Sequence, residues 1–131
     1  MSPANADPAV RTERVVLLVE DDAELRQNLS ASLSGAGYRV LATDLARTAW
    51  HLFSTEKPDL AVLDISLPDG NGLELCQRIR DHKELRFTPV IMLTARGQLE
   101  SKAKGFVSGA DQYLVKPILP KDGVPLDPED P

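Results

Sequence analysis

Five side chains could act together on a phosphate or a hard metal ion: Glu20 and Asp21 of an acidic run, Asp64, Thr94 and Lys116. Each comes at the end of an apolar stretch, VVLLV before Glu20, LAVL before Asp64, PVIML before Thr94 and QYLV before Lys116. Carboxyl groups gathered in one place repel one another unless a cation intervenes, and Mg2+ suits a set of oxygen donors. An aspartate beside such an ion can attack a phosphoryl group. A lysine would then neutralise the phosphoryl oxygens, and a hydroxyl such as that of Thr94 would donate a hydrogen bond to them. Singly, each residue has a plainer reading: acids after a strand cap helices, an aspartate marks a turn, a threonine caps and a lysine is a surface charge. Their joint placement at the ends of apolar runs is what points to a site.

That placement needs elements to create it. Val15-Val16-Leu17-Leu18-Val19 has the length and β-branched character of a strand buried on both faces. From Ala23 the period becomes helical, with Leu25, Leu29, Leu33 and Ala36 on one stripe, Asp22 as cap, and Gly35 and Gly37 as stops. Tyr38 to Leu41 predicts a second strand. Asp44 is placed to cap a helix whose Leu45, Ala49, Leu52 and Phe53 share a face, ended by Lys57-Pro58. Leu60 to Leu63 is the third strand, closed by Asp64, and the turn-rich loop from Ser66 to Gly72 leads into a helix carrying Leu73, Leu75, Cys76 and Ile79. Pro89 to Leu93 and Gln112 to Val115 are further strands, with a helical face of Leu99, Ala103, Phe106, Val107 and Ala110 between them. Strands that alternate with amphipathic helices predict an open α/β fold, a parallel sheet with helices on both faces, whose ligands bind at the carboxyl ends of the strands. With strand order 2-1-3-4-5, strands one and three are neighbours and the carboxyl groups converge.

Composition narrows the function classes. With 131 residues the chain has room for one domain of ordinary size, and 42% apolar with 27% charged residues suits a globular core. Twenty acidic residues against 15 Lys and Arg give −5, with no basic stripe for direct nucleic-acid binding. The one cysteine, Cys76, rules out an internal disulfide framework and reads as core, and His51 and His82 are too far apart to build a zinc site. No apolar run approaches the ~20 residues of a membrane span. Residues 1–13 read as a flexible leader without a secretory h-region, so a cytoplasmic location is expected.

The motifs LLVEDD, LDISLPDGNG, PVIMLTA and YLVKP, in register over residues 14 to about 118, resemble the receiver domain of two-component (phosphorelay) response regulators. Separations of 44 residues from Glu20 to Asp64, 30 from Asp64 to Thr94 and 52 from Asp64 to Lys116 fit that family. The resemblance implies a flavodoxin-like sheet and a signalling switch, not an enzyme on other substrates, in which Asp64 accepts a phosphoryl group from a sensor histidine kinase or phosphotransfer protein. It implies Mg2+ held by Asp21, Asp64, the Ser66 carbonyl and, through water, Glu20. Thr94 and Lys116 match the switch hydroxyl and the phosphoryl-binding lysine, Tyr113 matches the aromatic switch residue, and Ser66 and Arg96 match the positions that tune phosphoryl loss. Lys116-Pro117 is expected to be cis. The message is expected to pass to a protein effector or to another domain of a longer chain.

Two other readings compete with this one: a pseudo-receiver that only docks, and a Mg2+-dependent aspartyl phosphohydrolase. The first is disfavoured because all the phosphorylation residues are present. The second wants an aspartate two residues after the nucleophile, where Ser66 stands. A nucleotide-binding switch lacks both GxxxxGK[ST] and GxGxxG. The chain departs from the family after Lys116, where Pro117, Pro120, Pro125, Pro128 and Pro131 leave no place for the usual fifth helix. The sequence therefore predicts a receiver unit over residues 14–118 and a Pro-rich tail or linker over 119–131. Apolar sheet surface left by the absent helix is expected to be covered by Ile118, Leu119, Val124 and Leu126, or by a second copy of the chain in a homodimer.

Overall fold

The computed structural model describes residues 13–95 and 109–116. The main elements are β1 (Val15–Val19), α1 (Ala23–Gly35), β2 (Arg39–Thr43), α2 (Ala46–Glu56), β3 (Leu60–Asp64), α3 (Gly72–Asp81), β4 (Val90–Thr94) and β5 (Gln112–Val115). Between β3 and α3, Ser66–Leu67 and Gly70–Asn71 form a two-residue antiparallel ribbon. The five strands pair in parallel in the order β2-β1-β3-β4-β5, as the alternation of strand and helix predicts.

The reason is visible in the burial of each strand. All five residues of β1 and all five of β4 are buried, which a central strand packed on both sides requires. The strands at the sheet edges, β2 and β5, are only partly buried. Alternate residues then serve two cores. Val16, Leu18, Val62, Ile91 and Leu93 pack with Leu29 and Leu33 of α1. Leu17, Val19, Ala61, Leu63 and Met92 pack with Ala49 and Phe53 of α2 and with Leu75, Cys76 and Ile79 of α3. Helices therefore cover both faces, and Cys76 is core, as its place in the helical stripe predicts.

The helix starts show one agreement and one correction. Asp22 caps α1, its Oδ1 accepting from the amides of Glu24 at 3.0 Å and Leu25 at 3.1 Å. Asp44 does not cap α2. The N-cap there is Leu45, whose aliphatic side chain has no acceptor to offer, and the open amides of Ala46 and Arg47 are taken by Asp69 from the β3–α3 loop at 2.6 and 3.1 Å. Of the predicted fourth helical face from Leu99 to Ala110, only Ala110 is described, and it is not helical; the rest of it and the residues after Lys116, including the Lys116-Pro117 bond and the tail, lie outside the described residues. So do Arg96 and residues 1–12. Among the described residues no helix is long and apolar enough to cross a membrane.

Candidate functional site

Strand order fixes what meets at the carboxyl edge. Val19 is in register with Leu63, and Asp64 with Leu93, so the residues that finish β1, β3 and β4 lie side by side. Asp64 and Thr94 are the last residues of their strands, while Glu20 and Lys116 come directly after β1 and β5. Glu20, Asp21 and Asp64 can each present a carboxylate oxygen within 4.8 Å of the others. Glu20 is fully buried, Asp64 is 3% exposed, Thr94 is fully buried and Asp21 is exposed.

Lys116 closes the cluster from the far strand. Its Nζ donates to Asp64 Oδ2 at 3.0 Å and lies 3.0 Å from Glu20 Oε1. The first contact is a directed hydrogen bond. The second is an ion pair of poorer direction, and among the described residues nothing else donates to the buried Glu20 Oε1. The remaining oxygens are held locally: Glu20 Oε2 accepts from the Asp22 amide at 3.0 Å, and Asp64 Oδ1 accepts from the Ser66 amide at 3.2 Å. Arg26 Nη1 donates to the Glu20 carbonyl at 2.7 Å and fixes the backbone there. Lys116 itself is anchored by its amide, which donates to the Thr94 carbonyl at 2.8 Å. The Thr94 hydroxyl donates to the Ala95 carbonyl at 3.2 Å.

The electrostatics follow from this geometry. Burial, and then the neighbouring Asp64 carboxyl, push the Glu20 pKa up to about 7, against the opposing pull of the Asp22 amide and the Lys116 ammonium. For Lys116, burial acts downward, yet its contacts with Glu20 and Asp64 together outweigh it and hold the ammonium above its ordinary value. Among the described residues, two of the three clustered carboxyls share the Lys116 ammonium, and one buried carboxylate oxygen is left without a directed donor. A hard divalent cation fits that deficit and that all-oxygen donor set.

Of the other predicted residues, Ser66 and Tyr113 are among those described. Ser66 follows Asp64 by two residues and is exposed. Tyr113 is half-buried in β5, in register with Met92, and packs on the same core as α2 and α3. By strand alternation it shares a sheet face with Thr94 on the adjacent strand. Two residues that sequence reasoning missed also shape the site. A Cβ on Gly72 would run into the Asp64 carbonyl, so glycine is what lets the start of α3 close over the end of β3. Asp69 ties the same loop to α2. Both sit in the turn-rich DGNG stretch, which signals a loop but does not say what the loop touches.

A family model described as the response regulator receiver domain matches residues 16–124. The transcriptional regulatory protein GltR of Pseudomonas aeruginosa is 40% identical over 109 residues, 83% of this chain and 45% of that protein. The phosphate regulon transcriptional regulatory protein PhoB of the same organism is 36% identical over 109 residues, 83% of this chain and 48% of that protein. The chain therefore spans just under half the length of these curated relatives. The solved structure of the chemotaxis response regulator CheY4 of Vibrio cholerae is similar with a TM-score of 0.77 at 34% identity, covering 84% of this chain and 92% of that one. With its strand order, its acidic edge and a family match over most of its length, the chain belongs to the response regulator receiver domains.

Proposed function

We propose that the chain is a phosphoacceptor switch whose acceptor is Asp64. The observation that carries this reading is the buried Asp64 carboxylate held 3.0 Å from Lys116 Nζ, with the carboxyls of Glu20 and Asp21 within 4.8 Å. In the forward step an Asp64 oxygen attacks the phosphorus of a phosphohistidine. The phosphorus–nitrogen bond breaks, its electron pair stays on the imidazole, and that nitrogen takes up a proton. Lys116 is placed to neutralise the incoming phosphoryl oxygens, and the Thr94 hydroxyl can exchange its Ala95 partner for one of them. Asp21 and Asp64 would hold Mg2+ directly, the Ser66 carbonyl would be a further ligand, and Glu20 would act through water. When bound, the ion screens the negative charge between attacking carboxylate and phosphoryl group.

The move of Thr94 would draw Tyr113 inward on the face the two share and so change the surface offered to a partner. Loss of the phosphoryl group by hydrolysis, tuned by Ser66 and Arg96, returns the switch. Its donor would be a histidine kinase or phosphotransfer protein and its target a protein effector or a further domain. Residues 14–118 would form the switch unit with 119–131 as tail or linker, and a cytoplasmic location goes with such a donor.

The test is intact-protein mass after incubation with Mg2+ and a small acyl phosphate. A single Mg2+-dependent phosphoryl adduct, lost in Asp64→Asn and after chelation, is expected. Mg2+ binding without any adduct would overturn the switch and leave a docking module. Multiple turnover of the acyl phosphate without a lasting adduct would favour a phosphohydrolase.

A further inference from the structure

We propose that Arg80, remote from the acidic cluster, is a positioning residue that sets the register of β5 and so delivers Lys116 to Asp64; the inference deepens the phosphoacceptor reading and rests on it. Arg80 lies in the last turn of α3 and ties the approaches to β4 and β5 to it at once. Its Nε donates to the Gly109 carbonyl at 2.8 Å. Its Nη1 donates to the carbonyls of Arg86 at 3.0 Å and Thr88 at 2.7 Å, on the approach to β4. Its Nη2 donates to Asp111 Oδ2 at 2.9 Å, on the approach to β5.

Asp111 completes the clasp. The same Oδ2 accepts from the Val90 amide at 2.8 Å, while the Asp111 amide donates to the Val90 carbonyl at 2.9 Å. Asp111 is thereby locked against the first residue of β4 from both its backbone and its side chain. The guanidinium holds it there with a planar set of donors that an ammonium cannot reproduce. Gly109 belongs to the same device. Its φ is +81°, and a Cβ there would come within 2.9 Å of Arg80 Cγ and 3.0 Å of Nε, so the arginine stem lies directly on the backbone.

The strand needs such a pin. Among the described residues β5 is a four-residue edge strand with one neighbour and no fully buried side chain, the kind of strand whose register is weakly specified. A slip of one residue would turn every side chain to the opposite face. Lys116 lies beyond the far end of β5, roughly 17 Å of extended chain from Asp111 at ~3.3 Å per residue. Its ammonium meets Glu20 and Asp64 in the register that pairs Thr94 with Val115. Glu20 and Asp21, in contrast, follow β1 and Asp64 ends β3, and none of the clasp's hydrogen bonds goes to either strand.

This asymmetry gives the test, made on the full chain with Arg80→Lys, and with Asp111→Asn as a second variant should the first not fold. Amide hydrogen exchange at Asp111 and Lys116 should quicken by roughly tenfold, the scale of one charge-assisted hydrogen bond lost, while the β1 amides keep the parent rate. Mg2+ affinity should hold or tighten, since Glu20, Asp21 and Asp64 stay in place while the repelling ammonium is drawn away, and the maximal rate of acyl phosphate incorporation should fall several-fold. In a Lys116→Ala background, Arg80→Lys should lower that rate no further. Parent-like exchange at Lys116, or the same fractional loss of rate with and without Lys116, would overturn the proposal. If the parent chain takes up no phosphoryl group, the acceptor reading fails, and the exchange measurement still decides whether Arg80 holds β5.

Discussion

Lys116 carries two opposing consequences at the scale of single residues. Its ammonium stands 3.0 Å from both Glu20 Oε1 and Asp64 Oδ2, which is where a phosphoryl oxygen needs a positive neighbour and also where a metal ion would be repelled. Lys116→Ala should therefore slow acyl phosphate incorporation by about 10²-fold, the scale of one lost preorganised donor, while tightening Mg2+ binding. Rapid-quench phosphorylation and calorimetric Mg2+ titration read the two effects separately. Weakening of both would mean that the lysine merely holds the fold. The residues of this centre were legible because each follows an apolar run and because residue type limits what each can do. Arg80 was not legible. An arginine late in an amphipathic helix reads as a favourable charge near the helix C-terminus, and its real partners, Gly109 and Asp111, lie 29 and 31 residues away.

Elements were legible where packing follows period, and illegible where a partner came from elsewhere in the chain. The run VVLLV reads as a buried strand and is one, and the stripe through Leu29 and Leu33 buries as its spacing predicts. The start of α2 shows the limit: Asp44 is the local candidate for its cap, yet the anion that satisfies it is Asp69, 23 residues on from Ala46. Hydrogen bonds from the Ala46 and Arg47 amides hold the Asp69 carboxyl below its ordinary value of 3.8. A group depressed in the folded state adds stability above its unfolded pKa and loses it as pH falls through the folded one. Asp69→Ala should thus lower the thermal midpoint by a constant amount from neutral pH down to about 4, and the gap to the parent should close only in stronger acid. A gap that is the same at pH 7 and pH 2 would rule out the charge as its source. The neighbouring Gly72 makes a harsher demand, since any side chain meets the Asp64 carbonyl. Gly72→Ala should destabilise by about 1–3 kcal/mol, as overpacking does, and slow phosphorylation by shifting Asp64, read by urea unfolding and by the adduct assay.

At the scale of the whole molecule, the acidic edge sets stability against metal binding. Glu20 and Asp21 arrive from β1, and Asp64 from β3, 44 residues later, so the cluster exists only when the sheet has formed. Without a cation, bringing these carboxyls together opposes folding; with Mg2+ bound as proposed, the same arrangement would favour it, because the ion would bind the folded chain and not the dispersed acids. A ligand at 100 times its Kd adds about 2.7 kcal/mol by this linkage. The parent chain should therefore show a Tm that climbs with Mg2+ concentration. Asp21 is the residue that isolates the effect, being exposed and making none of the contacts with Lys116 that Glu20 and Asp64 make. Asp21→Asn keeps the shape and removes one repelling charge, so its Tm without metal should equal or exceed the parent's, and its rise with Mg2+ should be lost. Thermal unfolding of both proteins across a Mg2+ series, with Ca2+-free buffer and a chelated control, measures this directly. A variant that is less stable than the parent without metal would show that Asp21 supports the fold and would remove the ground for reading the edge as strained toward a cation.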